Sequence, residues 1–388
     1  MCIDRDLSKV QSMYPSVSVV IFDDRRKLLS VHRARLIVLI LILLAFGAGI
    51  VSAESTLLNS GEGKHLADLR QLTFGGSNAE AYFSWDGRAL IFQSTRGGYG
   101  CDQIFIMNTD GSDVRLVSTG LGRTTCSFFL PGNQQMIYAS THMRDAACPP
   151  RPDRSQGYVW ALYDYDIYIA NADGTGLTRL THHPGYDAEG ALSPDGKKII
   201  FTSLRAGDLD IYTMDTKGRN LRRLTFEKGF DGGAFFSWDG TKIVYRAYHP
   251  DTPQEMADYE RLLSKSLLRP TRAEIFVMDA NGADKRRLTH NGAANWAPAF
   301  HPNGRQIIFS SNLHDPGTRS FDLYLINIDG TGLEQISFGG FNSFPFFSPD
   351  GKKLVFSSDR LAKGPREFNV FIADWISEMR RVDPSSVR

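Results

Sequence analysis

The 388-residue sequence has almost no net charge: 44 Lys and Arg stand against 43 Asp and Glu, a formal +1. That balance leaves neither a basic footprint for nucleic acid nor a polybasic surface for an anionic membrane. Short motifs for common chemistries are missing too. The chain has no Gly-x-Ser-x-Gly elbow for a hydrolase serine, no His-Glu-x-x-His helix and no Gly-rich phosphate cradle after a strand. No pattern calls for a metal or an organic cofactor. Cysteine is scarce, at four residues.

Long hydrophobic runs are equally scarce, and the one present stands apart. Arg33 and Arg35 precede an unbroken apolar stretch from Leu36 to Phe46 that continues to Val51, and Val51-Ser52-Ala53 then offers small residues where a signal peptidase reads. Residues 1–53 are therefore expected to be an N-terminal extension and signal peptide with its apolar region at 36–51. The stretch is short of the roughly 20 residues a comfortable membrane span needs. Export to the periplasm or beyond is the expectation; anchoring by 36–51 is the alternative. Cys2 precedes the apolar region. Cys101, Cys126 and Cys148 remain as disulfide candidates in an oxidising compartment, with one pair expected within about 7 Å between Cα atoms and one thiol left over.

The rest of the chain is repetitive. Ser84-Trp85-Asp86-Gly87, Leu130-Pro131-Gly132, Ser193-Pro194-Asp195-Gly196, Ser237-Trp238-Asp239-Gly240, His301-Pro302-Asn303-Gly304 and Ser348-Pro349-Asp350-Gly351 are six versions of one turn. Asp-Gly and Asn-Gly supply the positive φ of tight hairpins. The next strand ends on an aromatic: Phe92, Tyr138, Phe201, Tyr245, Phe309 and Phe356, spaced 46, 63, 44, 64 and 47 residues apart. A period near 45 with only β signals predicts an all-β, six-bladed propeller over 66–376. Its two long spacings hold insertions at 143–163 and 250–272. The sixth unit stops after its third strand, and an orphan strand, Leu69 to Thr73, stands before the first. That strand is expected to complete the last blade and close the ring. Residues 54–65 form a linker and 377–388 a tail.

The Ser-Pro-Asp-Gly turn, the Ile-Tyr strand and the Leu-Thr ending of these units resemble the TolB-type, WD-like propeller family of bacterial exported proteins, over nearly the whole chain after residue 53. The resemblance implies a protein-binding propeller. The chain departs from TolB proper in having only Glu54 to His65 where TolB carries an α/β domain.

Loops joining second to third strands and fourth to first strands share one face, so both insertions rise over the same mouth. Thr252-Pro253-Gln254-Glu255 reads as a capping box with Pro in the first turn, opening a helix with Met256, Tyr259, Leu263 and Leu267 on one side. Where innermost strands begin, one column reads Asn78, Thr124, Asp187, Asp231, Asn295, Asn342; two residues on, it reads Glu80, Cys126, Glu189, Gly233, Ala297, Phe344. The expected ligand site at the channel mouth is Asn78, Glu80, Asp187, Glu189, Asp231, Asn295 and Asn342, for a peptide, protein or envelope component. A third column, Gln103, Asp166, Asp210, Glu274, Asp322 and Asn369, is expected to pair with Arg96, Arg205 and Arg360, which His142 and His249 replace in two units. The alternative is a hydrolase or lyase acting through His142, His182, His183 or His249 with nearby carboxylates.

Overall fold

The computed structural model describes residues 57–155 and 157–377. The apolar segment 36–51 and the tail from 378 lie outside the described residues, so the export signal does too. Among the described residues no helix is long and apolar enough to cross a membrane.

Six four-stranded antiparallel sheets follow one another in chain order. Each has its inner strand at the centre and a two-residue fourth strand outside, except the last. There the outer strand is Leu66–Gln71, paired with Asn369–Trp375 in the register Leu66 to Trp375 and Gln71 to Phe371. The sixth blade is thus built from both ends of the domain, as the orphan strand implied, and the ring closes without an open end, Leu66–Gln71 serving as its outer strand.

Within a blade the repeat aromatics explain the core. Each aromatic at the end of the second strand faces one on the third, at ring separations of 5.5–6.1 Å: Phe92 with Phe105, Tyr138 with Tyr168, Phe201 with Tyr212, Tyr245 with Phe276, Phe309 with Tyr324 and Phe356 with Phe371. Burying rings of this size in every blade is the main apolar contribution to the fold. Between blades, the backbone N–H opening each inner strand donates to the carbonyl just before the third strand of the preceding blade. Thr124 to Asp102, Asp231 to Leu209, Asn342 to Phe321 and, across the closure, Asn78 to Phe368 are examples at 2.7–3.0 Å.

The third-column residues do not pair with the arginines expected. Asp166, Asp210 and Glu274 instead bind Arg179, Arg223 and Arg287 of the Arg-Leu-Thr ending, at 2.6–2.7 Å, and Asp322 accepts from Gln335. The reason is strand order: the third strand faces the fourth. Arg96, Arg205 and Arg360 lie over the aromatic pair of their own blade and reach the opening of the inner strand.

The second insertion contains the expected capping box: Glu255 N–H donates to Thr252 Oγ1 at 3.2 Å and Glu255 accepts from the Thr252 N–H. The helix runs Pro253–Leu263 and buries Tyr259 and Leu262. Leu267 is not on it. The chain leaves the helix at Ser264 and reverses at Ser266, whose φ is 54°, so that Leu267–Leu268 form a strand.

Candidate binding site at the roofed mouth

Every inner strand breaks register in the same place. The ladder slips near its middle, as between Ala79 and Tyr82, Ala188 and Ala191 or Gly232 and Phe235, and the first residue inside the slip is left-handed. These residues are Glu80, Cys126, Glu189, Gly233, Ala297 and Phe344, with φ of 47–60°. For five of the six this conformation costs on the order of 1 kcal/mol or more. The slip turns all six side-chain positions toward the channel, and all six line one cavity of about 450 Å³. Gly233 is the exception that explains itself: a Cβ there would lie 2.9 Å from Arg246 Nη1. The open space admits Arg246, which ion-pairs with Glu189 of the neighbouring blade. Glu189 also accepts from Thr202 Oγ1 at 2.7 Å and the Gly233 N–H at 2.8 Å.

The cavity is blind. Two residues beyond the slip, Tyr82, Phe128, Phe235 and Phe346 meet across the axis with ring separations of 5.1–6.0 Å. The third and fifth blades have Ala191 and Ala299 at that level, both buried, so four rings fill a space that six could not share. Below them Trp85 and Trp238, from the two turns with Trp in place of Pro, approach to 6.0 Å. Their indole N–H groups donate to Phe129 and Phe300 carbonyls.

The insertions supply the roof. Trp160–Ala161 of the first pairs with Leu267–Leu268 of the second in a two-stranded sheet. Trp160 packs on Trp296 at 5.2 Å, and Trp296 donates to the Pro270 carbonyl at 3.0 Å. Cys101 and Cys148 form a disulfide, with Cα atoms 5.8 Å apart, that ties the first insertion to the first blade. Cys126 stays free on the cavity wall.

The seven expected ligand residues divide. Glu80 and Glu189 line the cavity. Asn78, Asp187, Asp231, Asn295 and Asn342 do not; they are buried behind it and spent on ties. Arg205 donates to both oxygens of Asp187 at 3.0 and 2.9 Å. Asn78, Asn295 and Asn342 accept from Ser94, Ser311 and Ser358 at 2.7–2.8 Å. Side chains at the first position point along the blade, and only those inside the slip point into the channel. The histidines are not brought together either. His142 packs at a tilt on Tyr168, 4.5 Å between ring centres, His249 lies between Asp231 and Glu227 at 3.2 and 3.0 Å, and His182 and His183 are exposed. None lines the cavity. Among the described residues no three His, Cys, Asp or Glu side chains are grouped as a metal would need.

Burial sets the electrostatics of the wall. It pushes the Glu80 carboxyl up to about 7, against a hydrogen bond from Cys126 and with help from the Glu189 charge. Burial, then the charges of Glu80 and Glu189, push the Cys126 thiol well above its ordinary range. A thiol so held is a poor nucleophile at neutral pH. The cavity also has a side that the columns did not reveal: six arginines, of which Arg151 and Arg154 come from the first insertion, and aromatic rings of the same insertion, Tyr158, Trp160 and Tyr163. Insertions lie outside any repeat alignment, and the only sequence signal was their own Arg and Tyr content.

Comparison with known proteins agrees with this architecture. The TolB beta propeller domain family matches residues 151–260. Among solved structures, a TolB-type protein from Agrobacterium tumefaciens superposes with a TM-score of 0.52 at 18% identity, covering 80% of this chain and 97% of that one. TolB from Acinetobacter baumannii gives 0.52 at 19% identity, over 79% of this chain and 64% of that one. An oligogalacturonate lyase from Vibrio parahaemolyticus gives 0.47 at 12% identity, over 80% and 94%. At these identities the likeness is one of fold.

Proposed function

We propose that this chain, a six-bladed propeller of the TolB type, is an exported binding module that holds an extended peptide segment of a protein partner in its roofed cavity. The observation that carries the reading is the cavity itself. Its volume of about 450 Å³ is in the range of sites that enclose a ligand. The floor is sealed by aromatic rings, and five strained backbone positions aim their side chains into it. Strain repeated in five of the six blades and directed at one space is characteristic of a functional site. Export rests on the apolar segment 36–51 and on the disulfide, which suits an oxidising compartment. The hydrolase or lyase reading rests on His142, His182, His183 or His249, and none of these lines the cavity, so binding is the better-supported role.

The test is to fill the space. Ala297 lines the wall and is nearly buried, so Ala297→Trp occupies the cavity from a rigid strand. Peptides selected from a displayed random library on the wild-type protein should lose at least tenfold in affinity for the variant. Peptides that bind both proteins equally would place recognition outside the cavity and end this reading.

A further inference from the structure

The charges on the cavity are out of proportion to those of the chain. Six arginines line it, Arg123, Arg151, Arg154, Arg246, Arg319 and Arg366, against three carboxylates, Asp102, Glu80 and Glu189, in a protein whose overall charge is +1. Two arginines are already matched: Arg123 with Asp102 and Arg246 with Glu189. The other four, Arg151, Arg154, Arg319 and Arg366, are exposed at the rim and have no carboxylate partner among the described residues. Contrast Asp166, Asp210 and Glu274 in the blades, each given its own arginine.

Two of the four are also gathered onto one ring. The Arg154 guanidinium lies 4.6 Å from the Tyr158 ring centre, and that of Arg319, from the fifth blade, 4.4 Å from the same ring. The first insertion and the loop at 312–320 together make this arrangement. Two like charges brought to one ring repel each other. The repulsion is relieved by carboxylates that accept from these forks, and guanidinium suits a carboxylate because it presents two parallel N–H groups. Apolar and aromatic side chains of the cavity, Phe341, Phe344 and Phe368 among them, offer surface for the body of the same ligand.

Resting on the reading of the cavity as a peptide site, we propose that its ligand is an acidic peptide, with carboxylates on the Arg151, Arg154, Arg319 and Arg366 rim and its chain in the aromatic-lined cavity. The acid on the wall does not oppose this. Glu80 faces Cys126, Glu189, Arg246 and Asp102, and burial keeps its carboxyl neutral below about pH 7, where it donates a hydrogen bond rather than repelling. A peptide fits better than a nucleic acid because the chain as a whole carries a charge of only +1 and so lacks the broad basic surface that a phosphate backbone calls for.

Fluorescently labelled hexapeptides of one aromatic-containing frame, with Glu, Gln or Lys at the variable positions, test this at pH 6 and low salt. The Glu peptide should bind about tenfold or more tighter than the Gln peptide, and the Lys peptide weakest. Raising the salt should narrow the gap. Arg154→Gln with Arg319→Gln, both exposed and in loops, should weaken the Glu peptide far more than the Gln peptide and so remove most of the gap. Equal binding of the Glu and Gln peptides, both lost in Ala297→Trp, would overturn the acidic preference and leave the peptide site standing. Binding of none of them would overturn both. An oligouronate of equal charge that binds more tightly and displaces the Glu peptide would overturn the choice of peptide.

Discussion

The second and fourth blades solve the same problem differently. Each carries an insertion between its second and third strands, and each has histidine where three other blades have arginine. In the fourth blade the inner strand opens with Asp231, and His249 pairs with it and with Glu227. In the second blade the same position is Thr124, and His142 has only Ser140 Oγ, at 2.7 Å, under the Tyr168 ring. Burial works against charge on both rings. For His249 the Asp231 hydrogen bond and charge, with Glu227, outweigh it and raise the pKa. For His142 burial comes first, the Arg179 charge adds to it, and the pKa falls. The insertions differ in the same spirit: one is stapled by a disulfide, the other held by a capped helix whose Tyr259 hydroxyl donates to Asp208 and Gly229. One fold position therefore takes either of two chemistries, provided the ring stays over the aromatic pair.

The largest effect should come from setting the fourth blade against the third, where the partner is Arg205 and cannot shed its charge. Asp187→Ala leaves a half-buried guanidinium without its carboxylate and should cost about 3–5 kcal/mol. Asp231→Ala leaves a histidine that can become neutral, so about 2 kcal/mol at pH 8 is expected. Urea unfolding of both variants checks the order; equal losses would mean the charge of the partner is irrelevant to the tie. Next, Cys101→Ser with Cys148→Ser opens a cross-link spanning 47 residues and should cost about 3 kcal/mol. Limited proteolysis should then cut first within 143–163 and leave 250–272 intact. Cuts appearing first in the helix would reverse the assignment of which insertion depends on its staple.

The smallest effect is the most diagnostic. A raised folded pKa means that His249 contributes stability below its unfolded value near 6.5, lost as pH rises through the folded value. A lowered one means that His142 costs nothing above about 6.5 and subtracts stability as pH falls below it. Comparing pH 5.5 with pH 8, His249→Gln should be relatively worse in acid and His142→Gln relatively better, each by under about 1 kcal/mol once solvent screening is allowed for. Shifts of the same sign in both variants would show that the two blades are not opposites.

The propeller was legible because its signals are local and sixfold: turn chemistry, an aromatic at a fixed place, an orphan strand with one vacancy to fill. Even the columns were aligned correctly, since Glu80, Cys126, Glu189, Gly233, Ala297 and Phe344 are the residues inside the slip. What alignment could not supply was direction. A regular strand alternates its faces, which gives no reason to separate Asp187, turned back to Arg205, from Glu189, turned into the cavity. A left-handed residue leaves no compositional mark when it is Glu, Cys or Phe. The roof was harder still. Its contacts join Trp160 to Leu268, more than a hundred residues apart and outside the repeat, and the arginine rim comes from three segments that meet only after the blades have stacked.

Closure through the first strand has a mechanical consequence. Leu66 pairs with Trp375 and Gln71 with Phe371, so the segments leading into the strand and away from its partner leave the ladder at one and the same end. Tension between those segments falls on the Leu66–Trp375 pair alone, then on the next, and the ring peels open one hydrogen bond at a time under a small force. Handles fixed instead at Gln71 and Trp375 load the whole ladder in shear, and every bond must fail together. The clasp is thus strong against the thermal spreading of blades and weak against a pull along its own chain.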